Sequence, residues 1–270
     1  MPDRNPAALP QSVHQESAYA VARYAAVEAG KILKGRFGMH HDMQVKGKRN
    51  LVTEADLLSE KRIIAIILEE FPGHGILSEE AGSCKKGGEY TWIIDPLDGT
   101  NNYYFGIPFF GVNIALVRKG EVVLGLTYDP MRHEMFRAEK GKGAFLNRKK
   151  IHVSKLSSLD GAALGVDLGY NAERSLELLA LVEKMWPHVH CLRLMGSSAL
   201  GLAYVAAGRL SLYFHKYVYP WDIASGLLLV REGGGDVITF EGRATKTQDK
   251  EIIAANPSML QSFRESLKKS

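Results

Sequence analysis

Strand-like and helix-like segments alternate through the second half of the chain, and this pattern restricts the fold more than any other feature of the sequence. The strand-like segments are short and apolar, and the helix-like segments between them are longer. In chain order the strands are predicted at 162–166, 189–194, 210–214, 236–240 and 252–255, and the helices at 172–186, 198–207, 222–232 and 257–268. Because every sheet face must bury its apolar side against another element, this alternation indicates sheets covered by helices in stacked layers.

Two long helices are predicted in the first half of the chain. Apolar residues at Ala20, Tyr24 and Val27 have the i, i+4, i+7 spacing of one helical face, which predicts a helix over residues 12–34. A second helix is predicted over residues 53–71, where a Pro-Gly pair ends it. These two helices are expected to precede the first strand.

The strands of the first half are predicted to continue into an antiparallel meander. Two short apolar segments come first, and four β-rich runs separated by turn residues follow. In chain order these strands are predicted at 75–78, 91–94, 111–118, 121–128, 134–138 and 144–147.

The composition excludes several classes of protein. With 46% hydrophobic and 24% charged residues, the chain resembles an ordinary globular protein. No apolar run approaches the ~20 residues that cross a bilayer, and the two cysteines are too few for a disulfide framework. We therefore expect a cytoplasmic protein without a membrane partner. Its predicted parts are a flexible tail (1–11), an α+β lobe carrying most metal ligands (12–157) and an α/β lobe that completes the site (158–270).

The charge balance argues against a dedicated nucleic-acid-binding protein. The net charge is only +4, and the basic residues form short clusters interrupted by Gly, Asn or Ser. These clusters are Lys46 with Lys48-Arg49, Lys85-Lys86 and Arg148-Lys149-Lys150. Small molecules that carry phosphate remain compatible with this balance.

Carboxylates occur at three separate places where a strand-like or aromatic segment ends. Glu79-Glu80 follow the first apolar segment, Asp95 and Asp98 follow the second, and Asp222 follows a Pro-Trp pair. These acids are expected at loop positions. Sites rich in carboxylate oxygen select hard cations such as Mg²⁺ or Mn²⁺, whereas zinc would favour His and Cys.

The segment Asp95-Pro96-Leu97-Asp98-Gly99-Thr100 combines two carboxylates with a turn that suits an anion. Pro96 stiffens the chain between the acids, and Gly99 lets backbone amides approach a phosphate closely. If Gly99 and Thr100 open a helix, their N–H groups and the helix dipole favour that phosphate. Two metal ions about 3.5–4 Å apart are typical of metal-assisted phosphate ester hydrolysis.

Five segments of the sequence resemble the inositol monophosphatase superfamily. Residues 95–102 (DPLDGTNN) resemble its first signature, and residues 221–226 (WDIASG) resemble its second. The segments 51–56, 78–80 and 196–200 fall in the family's order as well. The resemblance implies an α+β (mixed α/β) fold, a layered αβαβα sandwich of the sugar-phosphatase type.

The resemblance also implies a metal site with two or three Mg²⁺ ions, with Mn²⁺ as the alternative ion. Its ligands would be Glu79, Asp95 and the carbonyl of Leu97 for the first ion, and Asp95, Asp98 and Asp222 for the second. The catalytic set would be Glu79, Thr100 and Asp56, which position and deprotonate the attacking water. Substrate contacts would come from Gly99, Thr100, Ser198, His215 and Asp222.

Thr53 and Asp56 have a second interpretation beside catalysis. Their Thr-x-x-acid spacing is typical of a helix N-terminal cap, and on the spacing alone the cap is the favoured interpretation. The resemblance favours the catalytic role instead, and one residue can serve in both.

The sequence departs from the family at the residues that would contact substrate. Inositol-specific members carry an acid seven residues before the aspartate of the second signature, and this chain has His215 there. Imidazole offers one acceptor where a carboxylate offers several, so inositol recognition is not carried over. Tyr217 and Tyr219 could form an aromatic wall for a sugar or a heteroaromatic substrate.

The resemblance implies a lithium-sensitive, homodimeric phosphomonoesterase that hydrolyses a small sugar or polyol phosphate of the inositol-1-phosphate type without a phosphoenzyme. The alternative is fructose-1,6-bisphosphatase or a dual activity, followed by histidinol-phosphate and 3′-phosphoadenosine-5′-phosphate phosphatase. The alternative from another class is an RNA-linked regulatory partner, although nucleic-acid binding is not expected from the charge pattern.

Overall fold

The computed structural model describes residues 9–39, 43–47, 50–85 and 87–268. Seven α-helices lie within these residues, and none is long and apolar enough to cross a membrane. The helices are α1 (Ala18–Arg36), α2 (Glu54–Glu70), α3 (Thr100–Tyr104), α4 (Ala172–Met185), α5 (Ser198–Ala206), α6 (Pro220–Glu232) and α7 (Pro257–Lys268). The cytoplasmic location stays a prediction.

The first ten strands form a hairpin and a large sheet. The hairpin pairs β1 (Met43–Gly47) with β2 (Asn50–Thr53). The sheet has the order β10-β9-β8-β7-β6-β5-β3-β4 and is antiparallel except between β3 and β5. Its strands are β3 (Gly75–Ser78), β4 (Gly82–Lys85), β5 (Tyr90–Asp98), β6 (Gly111–Arg118), β7 (Glu121–Asp129), β8 (Glu134–Glu139), β9 (Gly143–Leu146) and β10 (Lys149–Ile151).

The last five strands form a second, mixed sheet. Its order is β12-β11-β13-β15-β14, with the first three strands parallel and the last two antiparallel to their neighbours. The strands are β11 (Ala163–Asp167), β12 (Cys191–Leu194), β13 (Leu212–Lys216), β14 (Asp236–Ile238) and β15 (Glu251–Ala255).

The helices and sheets stack in five layers. Helices α1 and α2 cover one face of the large sheet, α5 and α6 lie between the two sheets, and α4 and α7 cover the far face of the second sheet. Three apolar cores fill the spaces between these layers. The αβαβα sandwich expected from the resemblance is therefore confirmed.

The middle core contains apolar residues from both halves of the chain. Phe136 and Ile93 come from the large sheet, Leu202 and Leu229 from α5 and α6, and Ile252 from the second sheet. Since these residues are buried together, the two lobes share one core. The division into parts 1–11, 12–157 and 158–270 stays a prediction.

Three expectations about the first half of the chain were wrong. The first helix begins at Ala18 rather than residue 12, because Ser17 caps it and accepts a hydrogen bond from the N–H of Ala20 (3.2 Å). The hairpin β1–β2 lies between the two long helices, so they do not both precede the first strand. Strands β4 and β10 were also missed, since both are short and carry charged or small residues.

Glu79 and Glu80 lie in the turn after β3, as expected, whereas Asp95 and Asp98 lie in a strand rather than in a loop. Strand β5 runs on through Asp95 to Asp98, with its pairing to β6 interrupted between them. Asp222 lies in the first turn of α6. Parts of two basic clusters, Lys48-Arg49 and Lys86, lie outside the described residues.

Candidate active site

Five acidic side chains line one cavity of about 330 Å³: Asp167 at the end of β11, and the four predicted acids, which come from three parts of the fold. Strands β3 and β5 are parallel neighbours, and Ser78 pairs with Ile94. The next residues along each strand, Glu79 and Asp95, are therefore brought side by side at the same edge of the sheet. Asp98 lies at the end of β5, and Asp222 joins them from α6.

Three of these carboxylates form a tight cluster. Oxygen atoms of Asp95, Asp98 and Asp222 all lie within 4.8 Å of one another. Asp95 and Asp98 are buried, and Asp222 is partly buried. The spacing is compatible with shared ligation of one or more cations.

The cluster is electrostatically strained in the absence of a positive charge. Burial raises the pKa of Asp95 well above its usual value, and the charges of Glu79, Asp98 and Asp222 raise it further. Burial raises the pKa of Asp98 to about 7, although hydrogen bonds from Ser197 and Ala199 oppose this shift. The pKa of Asp222 is likewise raised, by burial first and then by Asp98 and Glu79. A bound cation would remove this penalty and keep all the carboxylates ionised.

The chemistry of the donor set fits a hard cation. The potential ligands are carboxylate oxygens and the carbonyl of Leu97, which also lines the cavity. Of the described residues around the cavity none is a cysteine, and His215 is the single histidine. Mg²⁺ and Mn²⁺ prefer such oxygen ligands, and zinc does not.

Helix α5 fixes the position of Asp98. The Ser197 hydroxyl donates to Asp98 Oδ2, as does the backbone N–H of Ala199 (3.0 Å), and the N–H of Ser198 donates to Oδ1 (3.2 Å). These donors lie at the start of the helix, where unpaired N–H groups and the helix dipole favour a negative charge. One carboxylate from the large sheet is thus anchored by a helix of the other lobe.

Asp56 acts as a helix cap and also contacts the site. Its Oδ2 accepts hydrogen bonds from the N–H (2.9 Å) and the hydroxyl (2.5 Å) of Thr53, which satisfies the start of α2. Its Oδ1 lies 3.3 Å from Thr100 Oγ1, whose single hydroxyl proton is shared between Asp56 and the carbonyl of Leu97 (3.0 Å). Burial raises the pKa of Asp56 to about 6. Both interpretations of Asp56 are therefore compatible with the structure.

Gly99 occupies a position that other residues could not. Its φ of 96° lies in the left-handed region, and a Cβ atom would lie 3.0 Å from the carbonyl oxygen of Gly196. Gly99 and Thr100 do open a helix, α3, which is five residues long.

His215 places a neutral imidazole in the cavity wall. Its Nδ1 lies 3.0 Å from the hydroxyl oxygen of Ser198, and its buried Nε2 has no hydrogen-bond partner among the described residues. Burial lowers the pKa of His215 to about 4, so the ring is uncharged at neutral pH. Nε2 is therefore a buried polar atom whose hydrogen bond no described residue supplies.

The structure brings together the site residues predicted from the sequence. Asp56 reaches the others through Thr100, and the remaining nine line the cavity itself: Glu79, Asp95, Leu97, Asp98, Gly99, Thr100, Ser198, His215 and Asp222. The aromatic residues Tyr217 and Tyr219 line the same cavity.

Three supporting residues escaped the sequence analysis. Glu60 accepts hydrogen bonds from the N–H groups of Glu80 (3.0 Å) and Ala81 (3.1 Å) and so holds the turn that carries Glu79. The sequence could have indicated Glu60, because it follows Asp56 by one turn of α2 and therefore lies on the same face of the helix.

The other two supporting residues hold the turn before α5. Asp167 accepts from the N–H of Met195 (2.9 Å) and the hydroxyl of Tyr213 (2.8 Å). Asn102 Nδ2 donates to the carbonyls of Met195 (3.0 Å) and Phe109 (2.8 Å). Asp167 could have been found as an acid at the end of a predicted strand, and Asn102 lies in the segment 95–102 that resembles the first signature, where it was given no role.

Comparison with known proteins gives one consistent family. The model of the inositol monophosphatase family matches residues 14–269. Nus factor SuhB of Pasteurella multocida is 37% identical over 244 residues, covering 89% of this chain and 91% of that protein. Inositol-1-monophosphatase of Caulobacter vibrioides is 37% identical over 251 residues, covering 89% of this chain and 98% of that protein.

A solved structure extends the similarity to the fold. The crystal structure of extragenic suppressor protein suhB from Bartonella henselae superimposes with a TM-score of 0.89 at 35% identity. The match covers 93% of this chain and 98% of that one.

The raised pKa values predict how the stability of the metal-free protein depends on pH. Asp56 and Asp98 have folded-state pKa values of about 6 and 7, above the ~3.9 of an unfolded aspartate. The folded protein therefore binds more protons between about pH 4 and 7, and its free energy of unfolding should fall as pH rises through that window. Urea unfolding in EDTA at pH 5 and pH 7 measures this dependence of the free energy of unfolding on pH.

Added Mg²⁺ should reverse the loss of stability at pH 7, because binding to the folded state alone stabilises it. Asp95→Asn should flatten the pH slope and weaken the response to Mg²⁺, whereas the exposed Asp160→Asn should change neither. A metal-free protein that gains stability from pH 5 to pH 7 would contradict the electrostatic account.

Proposed function

The chain belongs to the inositol monophosphatase family and is a phosphatase, and from this premise we propose a Mg²⁺-dependent phosphomonoesterase that acts on small sugar or polyol phosphates. The carboxylate cluster carries the proposal, because three buried or partly buried aspartates within 4.8 Å of one another need a cation. Hydrolysis would proceed by direct attack of water, without a phosphoenzyme.

The proposed metal ligands divide into two sets that share Asp95. Glu79, Asp95 and the Leu97 carbonyl would hold one ion, and Asp95, Asp98 and Asp222 the other. When bound, Mg²⁺ would lower the pKa of the attacking water and offset the charge that develops on the ester oxygens. Two ions are proposed, with a third at Glu79 and Glu80, and Mn²⁺ as the alternative ion.

Thr100 and Asp56 would handle the proton of the attacking water, together with Glu79. Thr100 Oγ1 lies 3.3 Å from Asp56 Oδ1, and Asp56 is buried with a pKa of about 6. A base with a pKa just below neutrality can accept a proton and release it again at working pH. The amides of Gly99 and Thr100 would hold the phosphate.

His215 and Ser198 would contact the hydroxyl groups of the leaving group. Because Ser198 occupies Nδ1, only Nε2 of the neutral ring is left to donate or accept one hydrogen bond. One hydrogen bond from a neutral imidazole selects among polyols less strictly than the several acceptor sites of a carboxylate would. We therefore expect a broad substrate range.

Removal of the shared ligand tests the proposed activity. Asp95→Asn should reduce Mg²⁺-dependent phosphate release by at least about 100-fold, because it removes charge from both ion positions at constant shape. The assay is phosphate release from inositol 1-phosphate, histidinol phosphate and other small esters, with Asp160→Asn as the control. Lithium should inhibit the native enzyme in the same assay. Native protein that releases no phosphate from any ester would refute the proposal.

Substitution of His215 tests the proposed substrate contact. His215→Leu should raise KM for polyol phosphates about tenfold with little change in kcat, because a hydroxyl group of the substrate loses a buried partner. His215→Gln keeps a polar group and should lose less. Equal effects of both variants on kcat would argue against a binding role.

We further propose a homodimer formed through an exposed apolar patch. Phe105 (70% exposed), Ile107 (49%) and Leu194 (59%) contribute to it. Asn102 connects these segments. Its backbone carbonyl accepts from the N–H of Ile107 (2.8 Å), and its side-chain amide donates to the backbone carbonyl of Met195 (3.0 Å). Exposed apolar surface of this kind marks association sites.

Sedimentation of the native chain should show a dimer, and Phe105→Glu combined with Leu194→Glu should give monomers, because a charge would be buried without a partner. The exposed Leu176→Glu on α4 is the control. A native monomer at micromolar concentration would refute the patch as an interface between copies.

The name of one relative, Nus factor SuhB, supports a second candidate function, an RNA-linked regulatory role. Salt-dependent retention of RNA by Asp98→Asn, which should be catalytically impaired, would favour that role. Absence of retention at low salt would exclude it.

A further inference from the structure

An aromatic surface lies beside the acidic cluster. The rings of Tyr219 and Trp221 are stacked, with centroids 5.1 Å apart and planes within 3°. Both residues line the cavity, and the N–H of Tyr219 donates to Asp222 Oδ2 (2.7 Å). A leaving group attached to a phosphate at the acidic cluster would therefore extend along these rings.

Two positive charges lie on the aromatic residues of this wall. The Arg174 guanidinium is 3.8 Å from the ring centroid of Tyr217, and the Lys250 ammonium is 4.3 Å from that of Tyr219. Both cations are exposed, and neither forms an ion pair with an acid in the described part of the chain. Lys216 differs, because Glu177 neutralises it at 3.0 Å.

The backbone at this wall holds an unfavourable conformation. Tyr217 has a φ of 70°, which is uncommon for a residue with a Cβ atom. The carbonyl of Lys250 holds it there by accepting from the N–H groups of Tyr217 (2.6 Å) and Val218 (3.0 Å). Lys250 thus fixes the loop through its backbone and places a charge on it through its side chain. Such strain is typical of ligand-binding segments.

We propose that Arg174 and Lys250, with Tyr217, Tyr219 and Trp221, form a rim subsite for a second phosphate group on the leaving group of the substrate. This inference rests on the proposed function of the acidic cluster, where the first phosphate reacts. A second phosphate gains nothing near the carboxylates, whereas two cations without an ion-pair partner among the described residues attract it, and a guanidinium matches phosphate oxygens in a bidentate manner. The preferred substrate class is therefore a bisphosphate.

Two matched pairs of esters test the rim subsite. They are fructose 1,6-bisphosphate with fructose 1-phosphate, and adenosine 3′,5′-bisphosphate with adenosine 3′-phosphate. The native enzyme should have a higher kcat/KM for the bisphosphate of at least one pair. In the double variant Arg174→Met/Lys250→Met, the ratio of kcat/KM for the bisphosphate to kcat/KM for its monophosphate should fall about tenfold. This change is equivalent to about 1.4 kcal/mol. High salt should lower the native ratio too, because the cations are exposed.

Lys216→Met is the matched control and should leave the ratio unchanged, since its charge is already paired with Glu177. A loss confined to the adenosine pair, together with a similar loss in Tyr219→Leu, would show that the aromatic rings bind the base. A loss of the preference for the bisphosphate in both pairs would show that the second phosphate is recognised whether a sugar or a nucleoside carries it.

A native enzyme without preference for either bisphosphate would overturn the inference. So would a double variant that slows each bisphosphate and its monophosphate in parallel, because a purely structural role has that effect. In both cases phosphate release from the monophosphates would leave the proposed function intact, whereas failure to hydrolyse any ester would refute that function itself.

Discussion

The mutual repulsion of three clustered aspartates is the constraint on which the rest of the site depends. Carboxylates within 4.8 Å of one another are costly to bury, and the fold supplies a backbone donor to each of them. Asp95 accepts from the N–H of Leu97 (3.0 Å), Asp98 from the start of α5, and Asp222 from the N–H of Tyr219 (2.7 Å). These bonds orient the oxygens but leave the pKa values raised, so the site is preorganised for a cation rather than neutralised by the protein.

The same bonds explain why the two sheets enclose one shared core. Asp98 belongs to the large sheet, and the donors that hold it belong to α5, which packs between the sheets. Asp167 and Asn102 reinforce this junction from opposite sides by binding the turn at Met195. A shift of one lobe relative to the other would separate Asp98 from its donors and disturb the cluster. The geometry of the cluster is therefore coupled to the packing of the middle layer.

Sequence alone predicts the layers and the acids but not the means by which the acids are held. Most helix and strand positions follow from apolar periodicity, and the hexapeptide at Asp95 is a local pattern. The hairpin β1–β2 was missed although Met43-Gln44-Val45-Lys46 alternates apolar and polar residues, because its strands are only five and four residues long. Glu60 and Asp167 act on the site only through contacts with residues far away in the chain, which no local pattern records. Asp222 is the first residue of the predicted helix 222–232, and its side chain caps the start of α6 by accepting from the N–H of Tyr219.

Reaction and substrate are specified in different ways by this chain. The reaction depends on carboxylates whose positions are fixed by backbone donors, so a change of side chain elsewhere alters them little. The proposed substrate contacts are side chains of the cavity wall and its rim: the buried Nε2 of His215, two stacked rings, and two exposed cations. Substitutions at exposed cations and aromatic faces change few buried contacts, whereas substitutions in the buried cluster alter the charge of the metal site itself. Under the proposed function, relatives with the same metal site can therefore differ in substrate, and the proposed rim subsite rather than the hexapeptide would select the ester.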